Sequence, residues 1–233
     1  MTPIESSIST HPVGCESTRD RPQRALPDPI VFVVDDDAAV REALEDLLTA
    51  RHMHSVTFGS AADYLAYTKS DAPACLILDI GLPDMDGLAL QRRIVGGDHP
   101  PIIFITGCGD IASCARAFKA GAVDYLAKPF SKHELMAAVD SAIERDRVRR
   151  HDMAEIGRLR ERFSSLTPRE REVLPLVVGG LLNKQSAARL GIGEVTMQVH
   201  RGQVMRKMKA SSLADLVRMA SKLLVPLPSR EDH

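Results

Sequence analysis

Ile30-Val31-Phe32-Val33-Val34-Asp35-Asp36-Asp37 is the stretch on which the fold turns: five apolar residues run without a break into three carboxylates. So short and continuous an apolar run suits a strand buried on both faces, which happens when helices cover a parallel sheet. Four more runs follow, at His54–Phe58, Cys75–Asp79, Pro101–Thr106 and Val123–Ala127. Between them apolar residues recur at helical spacing, as at Val40, Ala43, Leu44, Leu47 and Leu48, and later at Ile111, Ala115 and Phe118. Strand and helix alternating five times imply an α/β fold with a doubly wound, five-stranded parallel sheet. Ligands of such folds bind outside the carboxyl ends of the strands.

Those ends carry compatible groups. Asp35 and Asp36 follow the first run, Asp79 ends the third, Thr106 ends the fourth, and Lys128 lies just past the fifth. Carboxylates gathered on one edge repel one another unless a cation neutralises them. Mg²⁺ suits the task, because it takes a few carboxylates, keeps several waters and bridges to phosphate oxygens. Lysine supplies a compact charge for a phosphoryl oxygen, threonine a short hydroxyl, and an aspartate can form an acyl phosphate. Singly, each residue has a plainer reading: an Asp after a strand is usually a helix cap, Lys128 surface charge, Thr106 strand filler. Agreement at four of the five ends selects a phosphoryl-accepting site.

The 233 residues carry 30 basic and 31 acidic side chains, a balance that hides a division. Residues 30–143 hold 9 basic against 16 acidic groups, whereas 164–233 hold 11 against 6. An acidic body joined to a basic tail suggests two tasks. Residues 1–29 mix Ser, Thr, Pro and charge without period and read as a disordered tail; 226–233 read likewise. The acidic body spans 30–143. Ser131 and Glu134 have capping-box spacing and open a long helix. It continues through a charged connecting segment, 144–163, whose apolar positions thin to Met153, Ile156, Leu159 and Phe163. That pattern fits a short self-association seam or a solvated connecting helix equally well.

An all-α four-helix unit is expected over 164–225. Thr167, Pro168 and Glu170 form a second capping box with proline at the first helical position. Helices are predicted at about 167–178, 183–190, 194–208 and 211–223, with Gly179-Gly180 and Gly191 in the turns. A short helix, a glycine turn and a longer helix form the geometry that lays the second helix in the DNA major groove. On that second helix Thr196, Gln198, Val199, Arg201, Gly202, Gln203, Arg206 and Lys207 offer amides, an apolar contact and cations. Gln pairs with adenine and Val meets a thymine methyl. Lys184 and Lys209 join Arg201, Arg206 and Lys207 as candidates for phosphates. A purely structural helical bundle is the bland alternative.

Other classes drop out or are weighed. No apolar stretch approaches the ~20 residues of a membrane helix, and the polar, Pro-rich start lacks a signal segment. Cys15, Cys75, Cys108 and Cys114 form no CxxC pair, so a cytoplasmic protein with free thiols and no membrane contact is expected. A phosphohydrolase with Asp35 as nucleophile and Asp37 two residues on is one rival; it would turn over small phosphate esters. A protein-binding adaptor with no DNA output is the other.

The stretches Val33-Val34-Asp35-Asp36-Asp37, Leu78-Asp79-Ile80-Gly81-Leu82-Pro83-Asp84-Met85-Asp86-Gly87, Ile105-Thr106-Gly107 and Ala120-Gly121-Ala122-Val123-Asp124-Tyr125-Leu126-Ala127-Lys128-Pro129-Phe130 resemble the receiver domain of two-component response regulators. Leu166-Thr167-Pro168-Arg169-Glu170-Arg171-Glu172-Val173-Leu174, with Val199-His200-Arg201 and Val204-Met205-Arg206-Lys207-Met208, resembles the LuxR-type effector domain of the FixJ/NarL group, the FixJ branch above all. The resemblance implies a flavodoxin-like receiver whose Asp79 takes a phosphoryl group from a histidine kinase. By it, Asp36, Asp79 and the backbone carbonyl of Gly81 would bind Mg²⁺, with Asp35 supporting the ion through its water shell. Lys128 would pair with phosphoryl oxygens next to a cis Lys-Pro bond, and Thr106 and Tyr125 would form the switch. It further implies a homodimer on phosphorylation, through the fourth-helix and fifth-strand face, that binds promoter DNA and contacts RNA polymerase. Half-sites about one helical turn apart would suit such a dimer. Cys108 stands where relatives often have His, and Gln198 and Gly202 where they often have Lys. Ser186 replaces a branched apolar residue, which should weaken packing of its helix. Pro175 lies inside a helix, where it removes a backbone donor and should kink it.

Overall fold

The computed structural model describes residues 27–68, 70–94, 99–107 and 122–225. The N-terminal stretch 1–26, the helix expected around Ile111–Phe118, Cys15, Cys108, Cys114 and the C-terminal stretch 226–233 lie outside the described residues.

Five parallel strands form one sheet: β1 (Ile30–Val34), β2 (His54–Phe58), β3 (Ala74–Asp79), β4 (Ile102–Thr106) and β5 (Asp124–Ala127), in the order β2-β1-β3-β4-β5. Three helices connect them among the described residues: α1 (Ala38–Thr49), α2 (Ala61–Ala66) and α3 (Gly87–Ile94). The period of two along the strands sorts the core into two layers. Phe32, Val34, Leu76, Leu78 and Phe104 face α2 and α3 with Tyr64 and Leu90. Val31, Val33, Cys75, Ile77 and Ile105 face Leu44 and Leu48 of α1 and the apolar start of the following helix. The order reverses between β1 and β3, so Asp35 and Asp79 flank the switch point where doubly wound sheets bind ligands.

Helix α4 (Lys132–Ser164) begins with the expected capping box of Ser131 and Glu134. Its first turns bury Leu135, Met136, Val139, Ala142 and Ile143 on the sheet. Docking then runs on to Arg150. Asp146, fully buried, accepts from the backbone N–H of Ala74 at 2.9 Å and from Arg149 and Arg150, and Arg150 also reaches Asp71. Further along, Met153 is exposed while Leu159 is buried and Phe163 packs on the core of the C-terminal unit. Of the four thinned apolar positions, the last, Phe163, therefore serves effector packing.

That unit comprises α5 (Pro168–Val178), α6 (Asn183–Leu190), α7 (Glu194–Met208) and α8 (Leu213–Lys222). Val173, Leu174, Val177, Ala187, Met197, Val204, Met208 and Leu216 form its core. Pro175 stays inside α5 without ending it. Gly191 closes α6 with φ 64°, a left-handed conformation that glycine adopts without a Cβ penalty. Ser186 is fully buried and its hydroxyl has no hydrogen-bond partner among the described residues. Removing an unsatisfied buried hydroxyl is favourable, so Ser186→Ala should stabilise the effector unit by about 1 kcal/mol. A higher urea midpoint in equilibrium unfolding would register the gain; an unchanged or lower one would show that the hydroxyl finds a partner.

Candidate functional site

The carboxyl edge of the sheet brings Asp35, Asp79 and Lys128 into direct contact. Asp35 and Asp79 are buried, at 1% and 7% exposure. Lys128 Nζ donates to Asp35 Oδ2 at 2.7 Å and to Asp79 Oδ1 at 3.0 Å. Burial alone would lower the lysine pKa, but its hydrogen bonds to the two carboxylates and their charges raise it above the ordinary value. Lys128 is placed by its own backbone, whose N–H donates to Thr106 O at 2.7 Å, and the Lys128–Pro129 peptide is cis. Thr106 is buried at the tip of β4 beside Asp79, and Tyr125 packs half-buried against the Phe104 layer. Asp36 stands exposed at the head of the β1–α1 loop.

Around this contact the loops are fastened by further side chains. Arg41 Nη1 donates to the backbone carbonyls of Asp35 and Asp36, at 2.7 and 2.9 Å. Helical side chains lean toward their N-terminus, so an arginine on the first turn of α1 reaches back over the loop that precedes it. Asp37 caps α1 by accepting from Ala39 N–H. Asp84 accepts from the N–H groups of Ala61 and Ala62, tying the loop after Asp79 to the start of α2. Gly87 is required where α3 begins, because a Cβ there would lie 2.5 Å from the Asp79 carbonyl oxygen. Spacing along one strand or helix gives no sign of such contacts between loops.

Among the described residues no group of three or more His, Cys, Asp and Glu side chains is converged to hold a metal; the acids at this edge are bridged by Lys128. The donor chemistry nevertheless fits a hard divalent cation. Asp35, Asp36, Asp79 and the Gly81 carbonyl are all oxygen donors, and one lysine leaves three carboxylates with excess negative charge. Gly81 suits the approach: its N–H donates to Asp79 Oδ2 at 2.6 Å, and a Cβ there would crowd that oxygen at 3.2 Å.

In the C-terminal unit, α7 turns Met197, Val204 and Met208 inward and leaves Thr196, Gln198, Val199, Gly202 and Arg206 exposed. Lys184 and Lys209 are exposed as well. Gln203 is half-buried and accepts from Arg206. Two of the expected phosphate contacts are engaged inside the protein: Arg201 donates to Asn183 at 3.0 Å, and Lys207 donates to buried Glu170 at 2.6 Å. Burial would raise the Glu170 carboxyl, but the Lys207 hydrogen bond and the Thr167 backbone outweigh it and hold its pKa below the usual range. A depressed carboxyl stabilises the fold above its unfolded value of about 4.3 and loses that contribution as pH falls through the lower folded value. Acid unfolding of the effector unit should thus gain a step below that value which Glu170→Gln removes, as followed by circular dichroism. An unaltered acid profile in the variant would contradict this.

A parallel sheet with an acid–lysine pocket at its switch point, joined by one helix to a helix-turn-helix unit, is the architecture of a signal receiver with a DNA-binding output. The receiver domain of response regulators matches residues 31–140, and the luxR family of bacterial regulatory proteins matches 164–220. The chain belongs to the response regulators that join a receiver to a LuxR-type DNA-binding domain, the FixJ/NarL family of transcriptional regulators. It is 49% identical to nodulation protein W of Bradyrhizobium diazoefficiens over 195 residues, 83% of this chain and 86% of that one. Identity is 43% to the response regulator protein TodT of Pseudomonas putida, with the same coverage. It is 40% to the transcriptional regulatory protein FixJ of Rhizobium meliloti, over 84% of this chain and 96% of that one. The solved structure of the response regulator StyR superposes with a TM-score of 0.74 at 43% identity, covering 84% of this chain and 99% of that one. No helix among the described residues is long and apolar enough to cross a membrane.

Proposed function

We propose that Asp79 is the phosphoacceptor of a phosphorylation-controlled transcription regulator. The observation that carries this reading is the Lys128 ammonium held between the Asp35 and Asp79 carboxylates at the switch point of the sheet. A carboxylate oxygen of Asp79 attacks the phosphorus of a phosphohistidine on the cognate kinase; the P–N bond breaks and histidine leaves. Asp36, Asp79 and the Gly81 carbonyl would hold Mg²⁺, with Asp35 behind them, and the ion would supply positive charge to the phosphoryl oxygens. Lys128 turns from Asp79 toward the new phosphoryl oxygens, and the Thr106 hydroxyl donates to another. Phosphorylation adds about −1.5 to −2 charges, and the two states differ by the contacts these donors make.

The proposed division is a receiver over 30–143, a connecting helix over 144–163 and an effector over 164–225, with Thr106 and Tyr125 relaying the phosphorylated state. Phosphorylation then favours a homodimer that binds promoter duplex DNA through α7 and meets RNA polymerase in the cytoplasm. Among cations, Lys184, Lys209 and Arg206, the last exposed beside its Gln203 contact, are placed to take phosphates, and Arg201 and Lys207 contribute after leaving their internal partners. The acyl phosphate serves as a signal and not as a turnover intermediate. Asp37 supports this, since its Oδ1 is engaged as the cap of α1, accepting from Ala39 N–H. Incubation with radiolabelled acetyl phosphate and Mg²⁺ should give stoichiometric, hydroxylamine-labile labelling that is absent in Asp79→Asn. Labelling that survives in that variant, or continuous release of phosphate from small esters, would overturn the reading.

A further inference from the structure

We propose that Arg41 is a positioning residue for Mg²⁺: it fixes the backbone that aims the Asp36 carboxylate, and so sets the affinity of the acidic edge for the ion. The proposal rests on the phosphoacceptor reading and deepens it by giving a role to a side chain that is itself no ligand. Arg41 Nη1 donates to the carbonyl oxygens of Asp35 at 2.7 Å and of Asp36 at 2.9 Å. A strand has a period of two, so consecutive carbonyls point apart; here they converge on one nitrogen, because the chain turns as it leaves β1. Two carbonyl dipoles brought together repel, and charge-assisted bonds to a guanidinium offset that. Across the turn, Asp35 Oδ1 accepts from Asp37 N–H at 2.9 Å. Both peptide groups flanking Asp36 are thereby held, the second at its carbonyl and at its N–H. The Asp36 side chain is exposed and has no hydrogen bond or ion pair among the described residues, so its backbone alone directs it.

The arginine also spans two loops of the carboxyl edge. A Cβ on Gly59 would lie 3.6 Å from Arg41 Nη1, so the guanidinium rests against the turn that follows β2. Phe58, just before that glycine, accepts from Asp35 N–H at 3.2 Å. Two effects of the guanidinium then oppose each other. Its charge repels a divalent cation, and its hydrogen bonds place a ligand for one. Arg41 is half-buried, and solvent and salt weaken the repulsion. Ligand placement is not screened in this way, and loss of an outer partner of a metal ligand lowers metal affinity about 10–100-fold. Positioning therefore outweighs repulsion, and removing the positive charge should weaken cation binding. Repulsion alone predicts the opposite sign, and a role confined to loop stability predicts no change.

The test titrates Mg²⁺ into the full-length, unphosphorylated chain, followed by amide NMR shifts, and measures acetyl phosphate labelling of Asp79 over the same Mg²⁺ range. Arg41→Met should raise the Mg²⁺ dissociation constant about tenfold, the lower end of the effect of losing such a partner. Its labelling should be slow at low Mg²⁺ and should approach the parent rate at saturation, whereas Lys128→Met stays slow at every Mg²⁺ concentration. Arg41→Lys keeps the charge, a long stem and a donor with three hydrogens. It should recover most of the affinity, and it serves as the second variant should Arg41→Met fail to fold. Unchanged or tighter Mg²⁺ binding by Arg41→Met, a lysine variant as weak as the methionine one, or slow labelling that Mg²⁺ does not restore would overturn the positioning role and leave the phosphoacceptor reading standing. A parent chain that takes no label at any Mg²⁺ concentration would overturn both.

Discussion

Lys128→Met should slow labelling of Asp79 by acetyl phosphate roughly a hundredfold, the usual effect of deleting one preorganised donor to developing charge. The same substitution should destabilise the receiver in the absence of divalent ions. It leaves Asp35, 1% exposed, without the cation that faces it. Breaking a buried pair costs about 3–5 kcal/mol; the lysine side chain is 26% exposed, so a loss of about 2 kcal/mol is expected. Because the lysine pKa is raised, its contribution is full at neutral pH. It is lost only as pH climbs past the ordinary lysine value, about 10.4, and through the higher folded one. Millimolar Mg²⁺ should return part of the stability in Lys128→Met, since a cation bound only by the folded state stabilises it by mass action. Urea unfolding with and without Mg²⁺ measures both effects. A variant as stable as the parent without Mg²⁺ would show that the acids need no cation.

At the opposite end of β3, Asp146→Ala should produce the larger stability loss, about 3–5 kcal/mol. Asp146 is fully buried, and its two oxygens satisfy the Ala74 N–H and two guanidinium groups. Truncation orphans the backbone donor and takes from Arg149 and Arg150, only partly exposed, the buried carboxylate that they share. Asp71→Ala is the matching control. It also removes a partner of Arg150, but Asp71 is fully exposed, and exposed pairs contribute about 0–1 kcal/mol. Since Asp146 fastens α4 to the sheet beyond residue 143, its loss should also free the connecting helix, read as faster amide exchange over 144–158. Equal effects of Asp146→Ala and Asp71→Ala would show that this helix is held by its apolar turns alone.

The alternation of apolar runs and helical spacing made the sheet legible in the sequence, because burial on both faces leaves a local imprint at each strand. Asp35, Asp79, Thr106 and Lys128 could be found for the same reason, since strand ends are local features and the parallel fold gathers them on one edge. Asp146 could not be found: the need for it arises from the orphan N–H of Ala74, 72 residues away in the chain. Arg41 and Asp84 were missed for a related reason, as each bonds the backbone of a neighbouring loop. Arg201 and Lys207 show the same limit from the other side. They read as free cations on a helix, but their tips are turned to Asn183 and Glu170.

The most direct test is equilibrium binding of the full-length chain to a promoter duplex in Mg²⁺, with and without acetyl phosphate, for the parent protein and Asp79→Asn. Acetyl phosphate should tighten binding of the parent at least tenfold and leave Asp79→Asn at its unphosphorylated affinity; equal affinities under all four conditions would contradict control of the DNA-binding unit by a phosphoryl group on the sheet.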